Sequence, residues 1–230
     1  MAFERRFVAR LPFGTCVGVS LPPLPVPEAE WPAALHPDER GFARALREPR
    51  RAAWIGGRVA LRGALEAAGV AVPDAILPTD RGAPRLPAGA LGSISHKTAL
   101  AVALAAPARA PVVTLGVDLE ELRPLRADVA ERVLTAAEQA ALPGAGADRE
   151  ACVLRVFSAK EAIYKALDPW VRRFVGFHEA EVTFAGERAQ ARLRLARGEG
   201  PFAVALHDAS HLTGGGHFLM AATVAREGGE

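Results

Sequence analysis

The chain has 230 residues, of which half are apolar and 23% are charged, and its formal net charge is +2. This length suits one large domain or two small ones. So small a net charge argues against nucleic acid or an anionic membrane as a partner. Cys16 and Cys152 cannot by themselves form a disulfide framework or a structural zinc site, so we expect a reducing cytoplasm.

The first residues include Arg5-Arg6, which superficially resembles a twin-arginine export signal. Arg10, Pro12 and Gly14 interrupt the apolar region that such a signal needs, so we expect no export. No apolar run approaches the roughly 20 residues of a membrane span.

Apolar periodicity and turn residues predict alternating strands and helices along the chain. In chain order, these are a strand near 16–21, helices at 36–46 and 50–69, a strand at 99–106, a strand from 112 into 116–122, helices near 134–142 and 149–167, and strands near 181–184, 191–195, 202–207 and 214–225.

The two halves of the chain resemble each other in order. The sequence "GVSLPPL" at 18–24 matches "GVDLEEL" at 116–122 in four of seven positions, and an acidic helix start follows each, at Glu39 and Glu138. Each half then has a long helix and closes with an alanine-rich strand. This pattern predicts an internal duplication.

The second copy carries acids that the first copy lacks. Asp118 and Glu120 stand where the first copy has Ser20 and Pro22, and Glu161 stands where it has Arg58. On a strand, Asp118 and Glu120 share a face, and two close carboxylates need a neutralising partner such as a hard cation. The alternative is a solvated strand end before a helix whose dipole favours acids.

Two other stretches carry candidate functional groups. In "FSAKEAIYKAL" Glu161 and Lys165 lie one helical turn apart, as in an ordinary surface ion pair or in a site for a metal and a diphosphate. In "GSISHKTA" a turn before an apolar strand would present Ser95 and His96 to a ligand.

A basic stripe lies on the long helix of the first half. Steps of seven and four residues place its three arginines on one helix face, and the alternative is a solvated surface. The three are Arg51, Arg58 and Arg62.

Taken together, "GGRVALRGAL", "GSISH", "GVDLEE", "FSAKEAIYKAL" and "GFHEAEV" resemble the Sfp/EntD-type 4′-phosphopantetheinyl transferases, and the EntD-like branch most closely. The resemblance covers most of the chain. It implies an α+β monomer, a pseudo-dimer of two similar α/β halves with the active site between them. We therefore predict an N-terminal half at 1–108 with the coenzyme A nucleotide contacts and a C-terminal half at 109–230 with the metal and catalytic residues.

The resemblance also implies roles for the candidate residues. Asp118, Glu120 and Glu161 would bind Mg²⁺, with Mn²⁺ as an alternative ion, and Asp118, Glu161 and Lys165 would be catalytic. Lys165 would contact phosphate oxygens. Contacts to the nucleotide end are expected from four further residues, with Arg62 a weaker candidate. The four are Arg51, Arg58, Ser95 and His96.

Two positions are less clearly matched to this family. Glu138 matches an acidic position proposed as the general base in relatives, and the alternative is a helix-start carboxylate. The stretch "RGAPRLP" has Ala83 where many relatives have a basic residue, so Arg85 or Arg81 would replace that nucleotide contact.

The implied reaction moves the 4′-phosphopantetheine arm of coenzyme A to a serine of an apo acyl or peptidyl carrier protein. Such carriers serve polyketide, nonribosomal peptide, siderophore or fatty-acid synthesis. The alternatives are a non-catalytic coenzyme A-binding relative and another Mg²⁺-dependent nucleotide transferase. Trp170, Arg172, Arg173 and Phe174 are the predicted carrier contact, and ordinary packing is the alternative.

Overall fold

The computed structural model describes residues 2–109, 113–126, 128–185 and 188–227. The chain forms two compact units, Met1–Arg109 and Ala110–Glu230. Each unit combines an antiparallel sheet with a long helix, so the predicted α+β class with two similar halves is confirmed.

The first unit is a four-stranded sheet covered by a long helix. Its strands follow the order β1-β2-β4-β3, and every neighbouring pair is antiparallel. Residues such as Val17, Leu61 and Ala103 form the core where helix and sheet meet. The elements are β1 (Arg5–Leu11), β2 (Gly14–Ser20), α1 (Pro37–Arg44), α2 (Arg50–Ala67), β3 (Ala90–Lys97) and β4 (Leu100–Pro107).

The second unit is a five-stranded antiparallel sheet in the order β5-β9-β8-β7-β6, and its long helix α5 supplies much of the core. The elements are β5 (Val113–Glu121), α3 (Val129–Val133), α4 (Ala136–Ala140), α5 (Ala147–Val171), β6 (Ala180–Ala185), β7 (Arg188–Leu193), β8 (Phe202–Asp208) and β9 (His217–Arg226).

The strands that the sequence predicted at corresponding positions of the two halves also pair in the same way. β2 pairs with β4 and β5 pairs with β9, and both pairs are antiparallel. Strands β1 and β3 and the short helix α3 were missed. The stretch predicted as one helix at 134–142 contains only α4, because α3 ends at Val133. The backbone at Leu134 is extended, and Thr135 starts a new helix with its own capping interactions.

Strand β5 lies unusually close to helix α5. A Cβ atom added to Gly116 would lie 1.8 Å from the carbonyl oxygen of Ala162. On the same side of that approach, Thr114 Oγ1 donates to the carbonyl of Ala166 at 2.6 Å and accepts from Trp170 Nε1 at 2.8 Å. Because backbone and hydrogen bonds both fix this contact, β5 has little freedom to shift along α5.

We expect Gly116→Ala to lower the free energy of unfolding by about 3 kcal/mol, since the new methyl group would meet a backbone atom that cannot rotate away. Gly41→Ala is the matched control. Nothing lies within 4 Å of an added Cβ in that helical position, so the change should be neutral or stabilising by up to about 1 kcal/mol. Urea unfolding measures both. Equal effects of the two substitutions would contradict the close approach.

Candidate active site

The candidate site begins with two buried carboxylates on β5. Alternate residues of a strand point the same way, so Asp118 and Glu120 share the face of Gly116, which lies against α5. Both residues are only 4% exposed. Acidic side chains are seldom buried to this extent unless they are paired or bind a cation.

Lys165 on α5 is the partner of Asp118. Its Nζ donates to Asp118 Oδ1 at 2.7 Å and to the carbonyl oxygen of Val117 at 3.0 Å. The Lys165 side chain is 31% exposed and that of Asp118 is 5% exposed. Glu161 lies one turn earlier on the same helix and is partly buried. The structure thus brings Asp118 and Lys165 into contact and places Glu161 one turn from that lysine.

The magnesium assignment of Asp118, Glu120 and Glu161 stays a prediction. Within the described parts of the chain, no three Asp, Glu, His or Cys side chains are grouped so that they could hold a metal ion. Mg²⁺ often takes only one or two carboxylates and completes its shell with substrate phosphates and water. Asp118 and Glu120, two hard oxygen donors on one strand face, suit that chemistry.

Glu138 lies in a different setting, in the buried start of α4. Its Oε2 accepts from the backbone N–H of Thr135 at 2.7 Å and from Lys160 Nζ at 2.7 Å, and its Oε1 accepts from the N–H of Val182 at 2.6 Å. The side chain of Thr135 accepts in return from the N–H of Glu138. This is a capping box, the alternative that the sequence left open for Glu138.

Lys160 is a buried residue that the sequence reasoning missed. Its residue exposure is 0%, and besides Glu138 its Nζ donates to the carbonyl oxygens of Val133 at 2.8 Å and Phe177 at 2.9 Å. Burial lowers the pKa of Lys160 and the bond to Glu138 opposes that shift. A signal was present, because helical spacing puts Lys160 on the apolar face of Phe157 and Tyr164.

The arginine stripe of α2 is engaged in intramolecular contacts in the first unit. Arg51 donates to the carbonyl of Leu46. Arg58 is 4% exposed, donates to the carbonyl of Ile76 at 2.6 Å and lies over the ring of Trp54. Burial lowers the pKa of Arg58 to about 10.

Arg62 is likewise engaged, and it pairs with the buried Glu39 and with two backbone carbonyl oxygens. The nucleotide roles of the three arginines of α2 stay predictions, and their packing supplies a structural reason for each.

The other predicted nucleotide contacts lie on or near β3. Ser95 and His96 are consecutive strand residues, not turn residues as expected, and Ser95 is buried while His96 is exposed. They therefore lie on opposite faces of the strand. Arg81, Ala83 and Arg85 are all exposed, and which arginine replaces the missing basic residue stays a prediction.

The segment after α5 alternates between inward and outward residues. Arg173 points inward and donates to Glu179 at 3.0 and 2.7 Å and to Glu199 at 2.6 and 3.0 Å. These charge-assisted bonds form what we call the Arg173 clamp (Arg173, Glu179 and Glu199). Trp170 packs beside Phe202, whereas Phe174 is 83% exposed.

None of the described helices is long and apolar enough to cross a membrane. The described residues also line a surface cavity of about 680 Å³ beside α4, whose walls include Thr135, Gln139 and Glu181. Neither Asp118 nor Lys165 is among the described residues that line this cavity.

Two family models match the chain, the 4′-phosphopantetheinyl transferase superfamily over residues 114–221 and the 4′-phosphopantetheinyl transferase N-terminal domain over 38–106. The 4′-phosphopantetheinyl transferase Npt of Nocardia iowensis is 35% identical over 70% of this chain and 72% of its own length. The chain therefore belongs to the 4′-phosphopantetheinyl transferase family, as its motifs predicted.

For two further relatives, the match covers a smaller share of the relative's length. PptT of Mycobacterium tuberculosis is 33% identical over 64% of this chain and 64% of its own length. Enterobactin synthase component D of Salmonella typhi is 30% identical over 61% of this chain and 57% of its own length.

The Arg173 clamp should make the stability of the chain depend on pH. Hydrogen bonds from Arg173 lower the pKa of Glu179 and of Glu199 from 4.5 to about 2. A carboxyl group with a lowered pKa stabilises the fold fully above its unfolded pKa, and that contribution is lost as the pH falls through the folded value. We expect Arg173→Gln to melt at a lower temperature than wild type at pH 7, and the gap to shrink between pH 4.5 and 2. A gap that stays constant over this range would contradict the clamp.

Proposed function

We propose that this protein transfers the 4′-phosphopantetheine arm of coenzyme A to a serine of an apo carrier protein, in a reaction that requires Mg²⁺. The observation that carries the proposal is the buried Asp118 in contact with the partly exposed Lys165, in a chain of the phosphopantetheinyl transferase family. The name of a relative supports the choice of acceptor, since the holo-[acyl-carrier-protein] synthase of Shewanella amazonensis is 35% identical over 38% of this chain.

The residues would divide the work by charge. Asp118 and Glu120, with Glu161, would hold Mg²⁺, and the bound ion would neutralise charge on the diphosphate of coenzyme A. Lys165 would donate to a phosphate oxygen, because its ammonium group is already held at the end of the acidic strand and its side chain is 31% exposed.

The reaction itself exchanges one phosphorus–oxygen bond for another. The serine oxygen bonds to the β-phosphorus of coenzyme A, the bond to the bridging oxygen breaks, and adenosine 3′,5′-bisphosphate leaves. The serine proton passes to a base. Lys165 would stabilise the negative charge that develops on the transferred and departing groups.

The exposed residues of the segment after α5 are suited to contact a carrier protein. Arg172 and Phe174 are exposed, whereas Trp170 is packed and Arg173 is held in the clamp. We propose that Phe174 gives the apolar anchor and Arg172 the positive charge for an acidic carrier surface. Arg173, predicted for the same surface, would instead hold the segment in place.

The transfer is tested by the intact mass of apo carrier proteins after incubation with the protein, coenzyme A and Mg²⁺. We expect a gain of about 340 Da, one phosphopantetheine arm, and its disappearance when a chelator removes the ion. Asp118→Asn should lower the rate by about 100-fold or more. Asp148→Asn, an exposed acid at the start of α5, is the control and should leave the rate unchanged. No mass gain on any carrier, with coenzyme A still bound, would favour a non-catalytic binder.

The docking surface is tested by steady-state kinetics with an apo carrier protein that accepts the phosphopantetheine arm. Phe174→Ala and Arg172→Glu should each raise the carrier KM by about tenfold, the usual effect of losing one interface anchor, and should leave the coenzyme A KM unchanged. Val8→Ala, which alters an exposed apolar residue of the first unit, is the control. Unchanged carrier kinetics in the first two variants would remove this surface from the proposal.

A further inference from the structure

Glu138 is poorly placed to act as a base. A carboxylate has about four acceptor positions, and three of those on Glu138 are filled by Thr135 N–H, Lys160 Nζ and Val182 N–H. The residue is 6% exposed. A base must offer a lone pair to the hydroxyl group that it deprotonates, whereas Glu138 directs its lone pairs at donors in the interior of the second unit.

The first unit contains the same arrangement around Glu39. This residue is 0% exposed and lies in a capping box at the start of α1, where its Oε2 accepts from the N–H of His36 at 2.9 Å. Its Oε1 accepts from the distant N–H of Ile76 at 2.8 Å. A cation of the long helix, Arg62, completes the set at 2.9 Å.

The two glutamates stand at equivalent places of the duplication and make the same three kinds of contact. Their cations do not align, because Gly57 stands where the second copy has Lys160. Each caps its own helix, receives one backbone N–H from a distant segment and pairs with a cation of the long helix. The half that holds Glu39 has neither Asp118 nor Glu161 at the equivalent places. We infer that Glu138, inherited from the duplicated scaffold, forms a positioning pair with Lys160 and is not the general base.

Lys160 shows what the pair positions. Its three bonds attach the end of α3, the start of α4 and the segment at Phe177 to one side of α5. Lys160 is followed directly by Glu161, and successive residues of an α-helix are turned by about 100°. Fixing the direction of Lys160 therefore fixes the rotation of α5, and with it the direction of Glu161 and Lys165. The catalytic part of this inference rests on the proposed function.

The test compares Glu138→Gln with the matched variant Glu39→Gln. Each change removes one buried charge from a pair, and we expect each to lower the melting temperature by about 10 °C. Glu39→Gln should retain the wild-type rate of phosphopantetheine transfer. Glu138→Gln should lower kcat by no more than about tenfold and keep the acidic limb of its pH–rate profile, because the base would still be present.

The opposite result identifies a base. If Glu138→Gln is folded, melts within about 3 °C of wild type and loses both the acidic limb and about 10²–10⁴-fold in kcat, the inference is overturned. If that variant does not fold, Lys160→Met decides. Removing the cation beside a true base would raise the pKa of the base and move the acidic limb to higher pH. A positioning pair leaves the limb in place.

Failure of the proposed function can be told apart from failure of this inference. A wild-type protein that modifies no carrier would remove the proposed function, and the melting temperatures would still compare the two glutamates. In that case, a loss for Glu138→Gln less than a third of that for Glu39→Gln would overturn their equivalence.

Discussion

The close contact between β5 and α5 is the constraint on which the candidate site depends. Gly116 lets the backbone of the strand reach the carbonyl of Ala162, and the bonds of Thr114 hold the strand in register with the helix. With that register fixed, alternation along the strand places Asp118 next to Lys165. A larger residue at Gly116 would separate the two elements, so this glycine matters for geometry although it carries no functional group.

Local patterns predicted much of the fold, because the sequence pattern of most helices and strands is contained within about ten to twenty residues. The long helices and the apolar strands β4 and β5 follow from periodicity and apolar runs. β1 was missed because its arginines and mixed polarity do not alternate cleanly, and its exposed side needs no apolar residues. β3, with "GSISH", reads as a turn because glycine and serine dominate it.

The candidate site was harder to predict than the fold. Asp118, Glu161 and Lys165 were found through motifs, and the contact of Asp118 with Lys165 joins residues 47 positions apart, which no local pattern encodes. From the sequence alone, arginines that bind a ligand could not be distinguished from arginines that make contacts within the protein. Arg58 is almost fully buried because its guanidinium covers Trp54 and satisfies a distant carbonyl, and such partners depend on tertiary structure.

Burial of charge alone does not mark an active site in this protein. Within the described residues, three of the acid–cation pairs have an acid that is at most 5% exposed, and their cations differ in exposure. The cation is 0% exposed in the Glu138–Lys160 pair and 15% exposed in the Glu39–Arg62 pair, but 31% exposed in the Asp118–Lys165 pair. Buried ion pairs rarely stabilise a fold more than apolar residues would. The first two pairs fasten backbone segments that need hydrogen-bond partners. The third leaves a cation within reach of solvent at the end of an acidic strand, which a purely structural pair does not require and an anionic substrate does.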